Sequence, residues 1–237
     1  MSEIVVKEKD IVVPGELLAK GMDNFPGFGT YREGEEIYSS RLGVLYLDGR
    51  TIKVIALSGV YMPKSGDTII CKVIDIAFSG WRVETNSAYS AMLSLKDATS
   101  DYIAKGADLT QYYNLDDYLV CKVTNVTSQK LVDVSMRDPG LKKLVGGRLF
   151  HVNTNKVPRI IGKKGSMVSM IKQSTGCRVV VGQNGIVWIS GDTNNEFIAM
   201  DAIRKIEQES HISGLTNRIK EFLEEKTGNK IEGSEEK

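Results

Sequence analysis

The chain has 237 residues, 41% of them hydrophobic and 26% charged, and its 31 basic and 30 acidic side chains leave a formal net charge of +1. This is the profile of an ordinary soluble protein with room for one large domain or two to three small ones. No apolar run approaches the roughly 20 residues of a membrane span, and the N-terminus MSEIVVKEKD is too charged for a secretory signal, so a cytoplasmic protein with no membrane association is expected.

The near-neutral total hides an uneven distribution. Residues 1–64 carry 8 basic and 9 acidic side chains, 65–140 carry 7 and 10, 141–191 carry 9 and none, and 192–237 carry 7 and 11. One segment is therefore strongly basic, with Lys142, Lys143, Arg148, Lys156, Arg159, Lys163, Lys164, Lys172 and Arg178 and no acid between Leu141 and Gly191, and such a segment suits an anionic ligand. Cys71, Cys121 and Cys177 are odd in number, far apart and set in apolar runs such as IICKV and LVCKV. They suggest buried thiols in a reducing compartment and no disulfide framework; neither a metal site nor a cofactor is expected.

Residues 1–64 alternate short apolar segments with turn signals, and RLGVLYLDGRTIKVIAL reads as two strands joined at Asp48-Gly49. A β-rich N-terminal domain follows. From Ser65 to Gly140 five short strands are expected, in DTIICKVIDIAF, WRVETN, AMLSL, DYLVCKVTNVT and KLVDVSMRD, with a polar excursion from Lys96 to Asn114. Five strands in so short a stretch fit a five-stranded OB-type barrel, and a generic sandwich is the alternative.

After Gly146-Gly147 the period changes. RLFHVN reads as a strand, Val157–Ile161 and Ser166–Ser174 as helices, Cys177–Val181 and Ile186–Ser190 as strands joined through Asn184-Gly185, and helices start again near Thr193 and Asn194, which can cap. The order over residues 146–228 is βααββα with a C-terminal helix, and 229–237 reads as a mobile tail. The fold class is multi-domain, mainly β plus α+β.

The turn Gly162-Lys163-Lys164-Gly165 joins the two helices. Its glycines allow close backbone approach to a ligand, and the helix that follows offers free N–H groups and a favourable dipole to phosphate. Ile160, Ile161 and Val179 to Val181 are placed to wall a groove wide enough for single-stranded bases and too narrow for a duplex. A tight helix–helix turn with no ligand is the plainer reading. A P-loop is excluded because residues 160–166 lack its spacing.

The run VPRIIGKKGSMVSMIKQSTGCRVVV resembles the signature of the KH domain, and Arg159, Gly162, Lys163, Lys164, Gly165 and Arg178 become its candidate RNA-binding residues. The preceding barrel resembles an S1-type RNA-binding domain, with Gly66-Asp67 at its start and Val134-Ser135-Met136-Arg137 at its closing strand. That family's Phe-Gly-x-Phe stretch aligns with Ser79-Gly80-Trp81-Arg82 and its histidine falls near Leu93. The departure points to phosphate contacts through Arg82, Lys122 and Arg137 in place of stacking, with Trp81 as a candidate stacking ring and a buried or interface tryptophan as the commoner outcome for such a residue.

In their order the three parts resemble the RNA-binding cap subunit of the archaeal exosome, and Tyr61 to Asp67 looks like its first joint. Gly182-Gln183-Asn184-Gly185 matches the Gly-x-Asn-Gly element of these KH domains, which implies that Gly182, Asn184 and Gly185 brace the barrel against the KH domain. The resemblance further implies three copies docked mainly through residues 1–64 on a hexameric ring of phosphorolytic RNase PH-like subunits, delivering single-stranded RNA without catalysis of their own. His151 and His211 have no nucleophile or carboxylate at usable spacing, and Asp116-Asp117 reads as a solvated turn. A stand-alone single-stranded RNA regulator or translation-linked factor carries the same motifs and stays open.

Overall fold

The computed structural model describes residues 3–99, 103–104, 106–210, 212 and 214–228; His211 and the expected tail at 229–237 lie outside them. Two compact units are present, Met1–Gly59 and Val60–Lys237.

The first unit contains β1 (Glu3–Ile4), β2 (Ile11–Val12), β3 (Leu17–Lys20), β4 (Phe25–Pro26), β5 (Thr30–Glu33), β6 (Glu36–Ser39), β7 (Gly43–Asp48) and β8 (Thr51–Ala56). They form two four-stranded sheets, ordered β1-β3-β6-β5 and β2-β7-β8-β4. Asp48 pairs with Thr51, so the hairpin loop is Gly49-Arg50, with Gly49 at φ 60° as a two-residue hairpin turn requires. Pleat alternation sends Val12, Leu18, Ile37, Leu45, Ile52 and Val54 into the core. The opposite face of the second sheet is also apolar: Ile11 pairs with Val44 and Val44 with Ile55, making one cross-strand row, and Ile11 and Ile55 are 65% and 57% exposed.

The second unit begins with β9 (Thr68–Ala77), β10 (Gly80–Glu84), β11 (Ser90–Ser94), the short helix α1 (Leu95–Ala98), β12 (Tyr118–Val126), β13 (Val132–Ser135) and β14 (Lys143–Leu144). β13 pairs with β12 on one side and, in parallel, with β11 on the other, which closes five strands into a barrel; β14 adds to β12 outside it. Bulges between Arg82 and Val83 and between Val123 and Asn125 supply the bending that closure needs. Gly80, at φ 148°, lies so close to β11 that a Cβ would stand 2.1 Å from the Leu93 carbonyl oxygen. Tyr61 packs in the barrel core and donates its hydroxyl to Asp67 Oδ2 at 2.8 Å. The boundary expected at residue 64 therefore falls earlier, because the chain is already barrel at Tyr61.

The remainder is β15 (Arg148–His151), α2 (Val157–Ile161), α3 (Ser166–Thr175), β16 (Arg178–Val181), β17 (Ile186–Ser190), α4 (Thr193–Glu209) and α5 (Leu215–Thr227). The sheet is ordered β15-β17-β16. Ile160, Ile171, Val179, Ile189, Ile203, Ile206, Ile219 and Leu223 meet in its core, the apolar positions of each helix recurring on one face. Asp192, one place before the expected caps, accepts the Asn194 N–H at 3.1 Å and starts α4. All three cysteines are free and buried, Cys71 and Cys121 in the barrel and Cys177 beneath the helices.

Candidate nucleic-acid interface

Three of the four residues in the turn between α2 and α3 have positive φ: Gly162 at 76°, Lys164 at 53° and Gly165 at 83°. The two glycines are needed for different reasons. A Cβ on Gly162 would lie 2.7 Å from the Met167 nitrogen and 2.8 Å from its Cβ, so α3 can start where it does only against a residue without a side chain. A Cβ on Gly165 would meet nothing within 4 Å, so there only the left-handed backbone selects glycine. The loop folds on itself through the Gly165 N–H to the Gly162 carbonyl at 3.2 Å, and Lys163 and Lys164 are thrown outward, both exposed.

The acid-free run is not wholly acid-free in space. Lys143 reaches Asp117 Oδ2 at 2.6 Å, and Arg148 reaches Glu196 Oε2 at 2.9 Å while its guanidinium lies over the Phe197 ring. Asp117 and its neighbour Asp116, paired with Lys72 at 2.8 Å, are thus ion-pair partners and not merely a solvated turn. Among the described residues no ion pair engages Lys156, Arg159, Lys163, Lys164, Lys172 or Arg178. Arg159 and Arg178 are exposed. The expected groove walls sort by depth: Ile160 and Val179 belong to the core, whereas Ile161 and Val181 are half-buried at its edge.

The barrel candidates differ. Trp81 is fully buried, donates its indole N–H to the Tyr113 carbonyl at 3.0 Å and meets the Tyr113 ring edge-on at 5.2 Å between centroids. It cannot stack on a base, and the expectation of a Trp81 platform is corrected: the strand alternation that exposes Arg82 turns Trp81 inward. Arg82 is held by Asp75 at 2.6 Å and Lys122 by Asp138 at 2.6 Å. A phosphate would have to compete with those carboxylates for either cation. Arg137 is exposed and free of an ion pair among the described residues.

The loop Gly182–Gly185 reaches from the β16–β17 hairpin to the barrel. β10 pairs with β9 only from Lys72 onward, which leaves the outward backbone groups at Thr68 and Ile70 open. Gln183 fills the first position, its N–H donating to the Thr68 carbonyl at 2.9 Å and its side-chain oxygen accepting the Thr68 N–H at 2.7 Å. Asn184 fills the second. Its amide donates to the Ile70 and Thr85 carbonyls at 2.7 and 2.9 Å and accepts the Ile70 N–H at 3.3 Å, while Asn86 donates to the Asn184 carbonyl at 2.8 Å. A Cβ at Gly182 would strike Asn184 Oδ1 at 2.4 Å, and one at Gly185 the Val152 carbonyl at 2.5 Å. Ile70, Val120, Leu144, Ile186 and Trp188 bury one another beneath this polar seam.

Two stretches of the chain match known family models. Residues 9–58 match the family model described as the exosome RNA binding protein RRP4 N-terminal domain, and residues 148–210 match the KH domain. The exosome complex component Rrp4 of Methanothermus fervidus is 44% identical over 93% of this chain and 97% of its own. That of Thermococcus kodakarensis is 42% identical over 94% and 88%. A crystal structure whose description names an exosome complex RNA-binding protein superposes with a TM-score of 0.63 at 31% identity, covering 71% of this chain and 97% of the other.

Proposed function

The chain belongs to the Rrp4 family of exosome complex components, and from that premise we propose that it is a non-catalytic RNA-binding cap subunit that captures single-stranded RNA. It passes the 3′ end to a hexameric ring of RNase PH-like subunits for phosphorolysis. The observation that carries the reading is the Gly162–Gly165 turn: a strained four-residue loop at a helix start, with exposed lysines that no carboxylate in the described residues neutralises. Such cations are already surrounded by mobile counterions, and a phosphate strand releases those ions on binding.

Arg159 and Arg178 extend the contact from the turn, and Arg137 offers a further unpaired cation on the barrel. Arg82 and Lys122 contribute after exchanging their carboxylate partners for phosphate. Gly182, Asn184 and Gly185 serve by holding barrel and KH domain in one register.

Docking on the ring falls to residues 1–64, and the Ile11–Val44–Ile55 row supports it, since an exposed apolar row across a sheet face is a mark of a protein-contact surface. Three copies around a six-membered ring satisfy closed cyclic symmetry. The setting is cytoplasmic. No helix among the described residues is long and apolar enough to cross a membrane.

The test is affinity capture of the tagged chain from its own cells after nuclease treatment, followed by native mass analysis. Recovery with RNase PH-like subunits in a stoichiometric assembly is the expected result. Recovery of the chain alone identifies a stand-alone RNA-binding factor. The purified chain incubated with RNA and phosphate should release no nucleoside diphosphates, and release that tracks the chain through purification overturns the non-catalytic assignment.

A further inference from the structure

Four basic side chains lie in the strands from β9 to β14, and each is held by an aspartate. Lys72 reaches Asp116 at 2.8 Å, Arg82 reaches Asp75 at 2.6 Å, Lys122 reaches Asp138 at 2.6 Å and Lys143 reaches Asp117 at 2.6 Å. The partners come from different places: Asp75 from β9 itself, Asp116 and Asp117 from the turn before β12, and Asp138 from the segment after β13. Unpaired cations of this part of the chain, such as Arg137, lie off the strands. The KH turn and the helices that frame it show the opposite arrangement, with Lys156, Arg159, Lys163, Lys164 and Lys172 in no ion pair among the described residues.

Stability does not account for the pattern. The side chains of Arg82 and Asp75 keep 50% and 48% exposure and those of Lys122 and Asp138 keep 41% and 51%, and exposed pairs of this kind add little to a fold. Their effect on an anionic ligand is larger. A carboxylate offers a guanidinium or an ammonium the same kind of acceptor oxygens as a phosphate does, at hydrogen-bond distance and well inside the range over which salt screens. A phosphate that takes Arg82 or Lys122 must displace that carboxylate, which then gathers a cation from solution. The uptake offsets the counterion that the phosphate releases, so the contact gains little.

We propose that Asp75 and Asp138 set where RNA is held: as internal competitors for phosphate they keep the barrel's grip weak and leave retention to the KH turn. Asp116 and Asp117 do the same for Lys72 and Lys143. The proposal rests on the reading of the chain as an RNA-capturing subunit and adds to it residues that bind no RNA themselves. A strand anchored at the turn then crosses the barrel without being caught at a second point.

Asp75→Asn/Asp138→Asn in the full chain tests it, titrated with a short single-stranded oligoribonucleotide over a range of salt. Asn keeps the shape of each side chain and removes its charge. The slope of log affinity against log salt should steepen by about 1.4, at roughly 0.7 per freed cation, which corresponds to roughly a twenty-fivefold gain in affinity at about 0.1 M salt. The single variants D75N and D138N should each give about half the change, and either decides the question if the double variant is unstable. Asp75→Glu/Asp138→Glu keeps both charges and should hold the parental slope. Asp201→Asn/Glu225→Gln removes two charges from exposed side chains of the KH helices that join no ion pair among the described residues, and should also leave the slope unchanged. A parental slope in the Asn variants, or equal steepening in either control, overturns the proposal and leaves the capture function standing. A parent chain that binds no RNA overturns both.

Discussion

Replacing Asn184 by Ala removes the two hydrogen bonds its amide donates, to Ile70 and Thr85, and the one it accepts from Ile70. The site has no solvent exposure, so the groups left behind find no water. A buried polar group without a partner costs about 1–3 kcal/mol. The accepted bond, at 3.3 Å, is long and weak, and the two donated bonds, at 2.7 and 2.9 Å, carry most of the loss. Neighbouring orphans relax together, so the sum is less than additive, and the expected destabilisation is about 3 kcal/mol. For a unit of this size each kcal/mol moves Tm by about 2–4 °C, which gives a fall of about 6–12 °C. Urea and thermal unfolding of the full chain, followed by near-UV signals from Trp81 and Trp188, measure it. Asn184→Asp should be worse near neutral pH, because a carboxylate would face two carbonyl oxygens. A loss below about 1 kcal/mol in N184A would show that the apolar seam of Ile70, Val120, Leu144, Ile186 and Trp188 holds the domains without the amide, and would refute the reasoning.

Lys163→Asp/Lys164→Asp should weaken single-stranded RNA binding and reduce the salt slope by about 1.4, at roughly 0.7 per phosphate contact. Both sites are exposed and Asp tolerates the left-handed backbone at 164, so stability should shift by no more than about 0.5 kcal/mol; unchanged affinity in filter binding would move the RNA path to the barrel. Gly162→Ala should cost about 2–4 kcal/mol, combining left-handed strain with the clash at Met167, whereas Gly165→Ala should cost about 1 kcal/mol from strain alone; equal losses in urea melts would contradict the turn geometry. In the first unit the Tyr38 hydroxyl, with help from Lys20, holds the Glu36 carboxyl below its ordinary range. Tyr38→Phe should therefore raise that titration, which carboxyl-carbon NMR reads directly, and an unmoved midpoint would reject the assigned cause. In the parent this depressed carboxyl contributes stability above its unfolded-state pKa and loses it as pH falls through the folded value.

The KH segment was the most legible part of the sequence, because its information is local. Gly162 and Gly165 mark positive φ, the spacing of Met167 and Ile171 marks one helix face, and Asn184-Gly185 marks a hairpin. The element order of residues 148–227 follows from those signals almost residue by residue. The barrel strands were legible from alternation, but the direction each side chain takes was not. Trp81 and Arg82 are neighbours in one strand whose alternation buries Trp81 and Val83 and exposes Arg82 and Glu84, and residue type alone does not say which of the two phases faces the core. The pairing of Lys143 with Asp117 and Arg148 with Glu196 spans 26 and 48 residues, and a charge count by segment has no access to such distances.

The burial of the cysteines gives the chain a record of its own opening. Cys71 and Cys121 are inaccessible inside the barrel and Cys177 is 4% exposed beneath the KH helices, and burial pushes the thiols of Cys71 and Cys177 up, away from the reactive thiolate. An alkylating reagent therefore marks each thiol only when the body around it unfolds. Peptide masses after timed exposure would separate the two clocks, one kept by a pair of barrel thiols and one by a single thiol in the neighbouring domain. If the Asn184 seam makes the two bodies one cooperative unit, all three thiols should be modified at a common rate, and the first 59 residues, which contain no cysteine, would open unrecorded.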